Sequence, residues 1–170
     1  MVSRHWRTEG SVELFVDAPP AAVYDAVADV TRTGERSPEC RAAEWLPGSV
    51  KAAVGARFRG RNRSGIARWS RVCEVVVADP GRAFAFRTVP ERRDPSRRDS
   101  TTWSYAFEAE GDGTRVVHSY EITQLPSPFF RAVYGRLLPD HRDMRPQMLA
   151  TLEALRSSVE NTPAGGSVTD

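Results

Sequence analysis

Five strand-like segments follow one another between Ala56 and Thr123, and this run limits the fold more than any other feature of the chain. They cover 56–62, 67–78, 82–89, 101–110 and 114–123, spaced by turn signals about every ten residues, as in an antiparallel meander. A parallel pair would need a crossover of about a dozen residues or more, and none of these gaps is helical. Asp79-Pro80-Gly81 and Gly111-Asp112-Gly113 are the clearest hairpin signals, because glycine reaches positive φ and proline presets the first turn position. Only 90–100 is longer. Its Arg92, Arg93, Arg97 and Arg98, beside Glu91, Asp94 and Asp99, mark a solvated loop.

Ahead of the meander, Val12, Leu14 and Val16 alternate with their neighbours, which predicts a strand over 6–16. Asp17 is then expected to cap a helix that has Pro19 and Pro20 in its first turn and runs through Ala28. A second short helical turn and a loop follow over 31–38, and an extended stretch over 41–46. Behind the meander, the apolar residues of 129–138 predict one helical segment. Met144, Met148, Leu152, Leu155 and Val159, spaced four, four, three and four apart, predict a longer one. Pro146 must sit in the first turn of that helix or kink it. The Gly-, Pro- and Ser-rich stretch 161–170 is expected to be a disordered tail.

This order implies an α+β fold in which helices cover one face of a curved, seven-stranded antiparallel sheet. With 170 residues the chain suits one domain, placed at 1–160. The composition, 40% hydrophobic and 27% charged, is that of a globular chain. Twenty-four basic against 22 acidic residues leave +2, too little for a dedicated nucleic-acid binder, and Lys51 is the sole lysine. Cys40 and Cys73 have no disulfide or metal-ligand spacing, and no apolar run marks a leader or a transmembrane anchor. A cytoplasmic protein, as a monomer or homodimer, is the expectation.

The opening Asp17-Ala-Pro-Pro-Ala-Ala-Val-Tyr-Asp-Ala-Val-Ala-Asp-Val, with the element order above, resembles the helix-grip fold of the SRPBCC superfamily. That superfamily includes START lipid-transfer domains, birch-pollen-allergen-like proteins and polyketide cyclase/dehydrase proteins. Arg36-Ser-Pro-Glu-Cys, Trp45-Leu-Pro-Gly, Gly55-Ala-Arg-Phe-Arg-Gly-Arg-Asn-Arg and Cys73-Glu-Val-Val-Val-Ala-Asp-Pro-Gly-Arg-Ala-Phe-Ala-Phe-Arg resemble its actinobacterial polyketide-cyclase/dehydrase-like branch. The resemblance covers about 9–158 and implies a sheet gripping the C-terminal helix, with two short helices after the first strand. It also implies a deep apolar cavity for a hydrophobic or aromatic, polyketide-like or lipid-like, small molecule. It transfers no catalytic residue, because the superfamily shares no catalytic motif.

Strand alternation places Trp103 and Tyr105 with Phe107, His118 and Tyr120 with Val116, and Phe84 with Phe86 on shared faces. Aromatic groups with polar tips could orient a ligand while burying its body, or simply fill a solid core. The expected ligand-binding wall is Trp45, Phe58, Asn62, Trp69, Phe84, Phe86, Trp103, Tyr120, Met144 and Met148, with His118 and Tyr105 as catalytic candidates. Trp69 is ambiguous, since its strand is apolar on both faces. His118 suits general acid–base work by its ordinary pKa, although a structural buried histidine is the commoner case. The resemblance also implies that Ser37, Glu39 and Cys40 lie near the cavity mouth, where Cys40 has no local base to activate it.

Arg57, Arg59, Arg61 and Arg63 alternate opposite Phe58 and Gly60 and so face outward. They form either a polyanion site or a ladder paired with Glu74, Glu108 and Glu121. The histidines lack metal-ligand spacing and the glycines lack a phosphate-loop pattern, so no metal and no cofactor are expected. Three readings follow: a carrier of a hydrophobic molecule, a cofactor-independent polyketide aromatase/cyclase or dehydratase using the same cavity, or a protein-interaction module using the arginine face.

Overall fold

A computed structural model describes residues 6–161. The strands are β1 (Glu9–Val16), β2 (Cys40–Trp45), β3 (Arg57–Ser64), β4 (Ala67–Asp79), β5 (Ala83–Thr88), β6 (Ser100–Glu110) and β7 (Gly113–Gln124). They form one antiparallel sheet in the order β1-β7-β6-β5-β4-β3-β2. Helix α1 (Pro20–Ala28) and a 3-10 turn (Val30–Glu35) separate β1 from β2. After β7 come α2 (Pro128–Leu137), a 3-10 turn (Pro139–Arg142) and the long α3 (Arg145–Glu160). This is the expected helix-grip α+β architecture. The tail expected over 161–170 lies, from 162 onward, outside the described residues.

The turn chemistry takes the anticipated form. Glu110 pairs with Gly113, leaving Gly111 and Asp112 as a two-residue turn, and Gly111 has φ 59°. Positive φ at the first central position alone suits a glycine there. A similar turn at Gly65-Ile66 extends β3 to Ser64, beyond the residue-62 limit expected from the sequence. Pro146 falls in the first turn of α3.

Asp17 is not the cap of α1. Pro19 occupies that position in an extended conformation, with φ −61° and ψ 148°. The residue before a proline is pushed out of the helical region, so Pro20 is the first residue free to begin the helix. Asp17 instead donates its backbone N–H to Glu160 at the end of α3, at 2.9 Å.

Strand β4 owes its mixed pattern to a register shift between Val75 and Val77. A bulge inserts one residue and reverses which side faces the core. Before it, Trp69, Cys73 and Val75 share the inner side; beyond it Val77 is exposed and Ala78 packs on the core. On the concave face, Val23, Tyr24 and Val27 of α1 and Leu152 and Leu155 of α3 close over Phe84, Phe107 and Val116. Tyr24 meets Phe84 and Phe107 edge-on, with ring centroids 6.3 and 5.9 Å apart, a favourable arrangement for aromatic quadrupoles. This solid packing occupies one end of the groove between helices and sheet.

Candidate functional site

The other end is a cavity of about 520 Å³. Its sheet wall comes from β3 to β7 with Cys40 of β2, and the start of α3, α2 and the segment around Arg36 supply the rest. Phe58, Asn62 and Trp69 reach it from β3 and β4, Phe84 and Phe86 from β5, and Trp103, Tyr105 and His118 from β6 and β7. Met144 and Met148 face them from the beginning of α3. Alternation and the bulge in β4 thus bring together ten of the twelve residues named from the sequence.

Trp45 and Tyr120 do not line it. Trp45 pairs with Phe58 across β2 and β3 and packs edge-on against it, centroids 5.7 Å apart, so Phe58 stands at the cavity and Trp45 behind it. Tyr120 is buried with Met144 and Met148, against Trp103, and donates its hydroxyl to the Arg7 carbonyl at 3.2 Å. Both are packing residues.

His118 and Tyr105 form the polar centre of the sheet wall. They are partners in the β6–β7 register, and their rings stack at 3.9 Å. His118 Nδ1 lies 3.2 Å from the Ser104 carbonyl, which can only accept, so Nδ1 carries the proton and Nε2 keeps the lone pair. Burial lowers the His118 pKa to about 4, the Ser104 bond opposing this only in part. Near neutral pH the ring is an uncharged acceptor and a weak base. Burial also raises the Tyr105 pKa, which the charge of Arg36 opposes, so its hydroxyl stays protonated and able to donate.

Beside Glu39 and Cys40, expected near the cavity, the lining includes Arg36, Arg71, Asp99, Tyr134 and His141, which carried no clear sequence signal. Arg71 follows the parity of Trp69 and Cys73 inward and meets the Asp99 carboxylate at 2.9 Å, both side chains mostly buried. Glu39 and His141 pair at 2.9 Å, joining the segment before β2 to the 3-10 turn after α2. The Tyr134 hydroxyl of α2 donates to the Ser96 carbonyl of the long loop. Arg36, 8% exposed, also faces the cavity. Cys40 lines it as well, but burial raises its pKa and its Sγ lies 3.4 Å from the Ala42 carbonyl, so it is not an activated thiolate.

Outside, the arginines of β3 form a ladder that matches the expected one at Glu74 but not at Glu108 or Glu121. Glu74 takes both Arg57, at 2.7 Å, and Arg87, at 2.9 Å, while Arg61 pairs with Glu44 of β2 at 2.7 Å. Glu108 pairs with Arg115 instead, because β6 and β7 are separated from β3 by β4 and β5; the same separation keeps Glu121 out of the row. Among the described residues no helix is long and apolar enough to cross a membrane.

Residues 7–160 match the profile of the family described as polyketide cyclase/dehydrase and lipid transport. Among solved structures, a polyketide-cyclase-like protein of Corynebacterium glutamicum is 30% identical, with TM-score 0.57, over 90% of this chain and 91% of its own. The Zhui aromatase/cyclase of Streptomyces sp. R1128 is 20% identical with TM-score 0.70, over 93% and 98%. A Thermus thermophilus protein is 21% identical with TM-score 0.70, over 92% and 99%. A search of curated protein sequences finds no match.

Proposed function

The chain belongs to the polyketide cyclase/dehydrase and lipid-transport family, and from that premise we propose that it binds a hydrophobic or aromatic small molecule in the cavity above His118 and Tyr105. One observation carries this reading. The concave face is packed solid at one end, yet about 520 Å³ is left open at the other, walled by aromatic rings with donors and acceptors between them. Interiors normally pack to crystal-like density, so a hollow of this size is a feature of the fold's use. Flat rings bury an apolar body, while Asn62, Tyr105 and His118 fix its orientation.

Native mass spectrometry of freshly purified protein tests the reading. A co-purifying small molecule, or a one-to-one adduct with an added polycyclic aromatic, is the expected result. Protein that carries nothing and takes up no apolar probe would sink it.

The second reading is an aromatase/cyclase, favoured by the stacked Tyr105–His118 pair beside the cavity and by the likeness to the Zhui aromatase/cyclase. With His118 a weak base near neutral pH, such chemistry would rest on folding a reactive chain and polarising its carbonyls. The same preparation given a poly-β-ketone surrogate separates the readings: turnover lost in Tyr105→Phe with binding retained supports a cyclase, and binding without turnover supports a carrier.

A further inference from the structure

Arg36 is placed as if for a charged partner it does not have. Its backbone closes the 3-10 turn, with N–H to the Thr33 carbonyl at 3.0 Å, and its Nη2 reaches the Asp29 carbonyl at 3.3 Å. Its Nη1 is buried with no hydrogen-bond partner among the described residues. The described carboxylates near it are engaged elsewhere. Asp29 accepts from the backbone and hydroxyl of Thr31, and Glu35 pairs with Arg32 at 2.8 Å. Of the acidic residues lining the cavity, Glu39 holds His141 and Asp99 holds Arg71.

Guanidinium stays protonated in proteins, and a buried charge without a carboxylate paired directly to it is costly for a fold to retain. Arg36 lies in the cavity lining with Tyr105, close enough for its charge to oppose the rise that burial gives the Tyr105 pKa. Both groups are donors. Together they suit an anionic oxygen, whereas a wholly apolar ligand would leave Nη1 both buried and unpaired.

We infer that the cavity's ligand is a hydrophobic carboxylic acid, its apolar body against the aromatic wall and its carboxylate on the Arg36 guanidinium beside the Tyr105 hydroxyl. This rests on the cavity-binding reading and adds the chemical class of what is bound. A charge-assisted bond made away from water is worth about tenfold or more in affinity over its neutral counterpart.

Matched probes test it: 2-naphthylacetic acid and its primary amide, alike in shape and different in charge, with binding followed by isothermal titration calorimetry. Wild-type protein is expected to bind the acid about tenfold or more tightly than the amide. Arg36→Met removes that preference, with far-UV circular dichroism and the urea midpoint showing that the variant is folded; Arg36→Lys keeps part of the preference. Equal affinity for acid and amide in wild type overturns the inference and leaves the cavity reading standing. A preference that survives in Arg36→Met overturns the assignment to Arg36. Binding of neither probe overturns the cavity reading and this inference with it.

Discussion

At the scale of single residues, His118 couples the interior to solvent pH. Its folded-state pKa of about 4 lies below the ordinary 6.5. As pH falls from 7, the unfolded chain takes up a proton near 6.5 while the folded chain resists until about 4, so stability declines through that window. The wild type should lose roughly 2 kcal/mol between pH 7 and pH 5 through this group alone. Urea unfolding at the two pH values checks it. His118→Gln should reduce the pH dependence by that amount, and an unchanged slope would contradict the assignment. The inward side of His118 was legible from alternation alone. Arg36 was not, because the sequence sets it beside Glu35 and near Asp29, and only the folded turn shows both carboxylates already taken.

At the scale of elements, the approach of the 3-10 turn to β2 depends on Gly34. A Cβ there would lie 2.2 Å from the Arg41 carbonyl oxygen, an obstruction in backbone that no rotamer change relieves. Gly34→Ala should destabilise the protein by roughly 1–3 kcal/mol, as overpacking does, measured by the urea midpoint. Displacement of the turn should also weaken acid binding through the neighbouring Arg36. Strand identities were readable because turns and alternation reinforce each other along the chain. Strand β4 was harder. Its bulge reverses the inner side partway along, so two consistent patterns overlap as one ambiguous run; Trp69 could be named only as an ambiguous wall residue, and Arg71 came into view only with the register. The false cap at Asp17 has a similar origin: two adjacent prolines delay the helix by a constraint stronger than a capping side chain.

Over the whole molecule, the cavity walls differ in how firmly they are held. The sheet is continuously hydrogen-bonded, and α3 is anchored by Leu152 and Leu155, whereas α2 buries only Gly135. Cross-links fasten that side: His141 to Glu39, and Tyr134 to the Ser96 carbonyl. A wall with so little buried surface opens at lower free energy than the core. Protein carrying both Tyr134→Phe and His141→Ala should therefore exchange a naphthyl probe several-fold faster in both directions, with a smaller change in equilibrium affinity. Stopped-flow fluorescence checks this, and unchanged rates would place the route elsewhere.

The order β1-β7-β6-β5-β4-β3-β2 also carries a consequence for the birth of the molecule. Strands β2 to β7 each pair with a sequence neighbour, but β1 pairs with β7, and the Thr114 hydroxyl reaches the Ala18 carbonyl across 96 residues of chain. On a ribosome the meander can assemble hairpin by hairpin while β1 waits unpaired for its partner to be made. Since α3 is made after β7, the pocket is closed only after every strand of the sheet has been made.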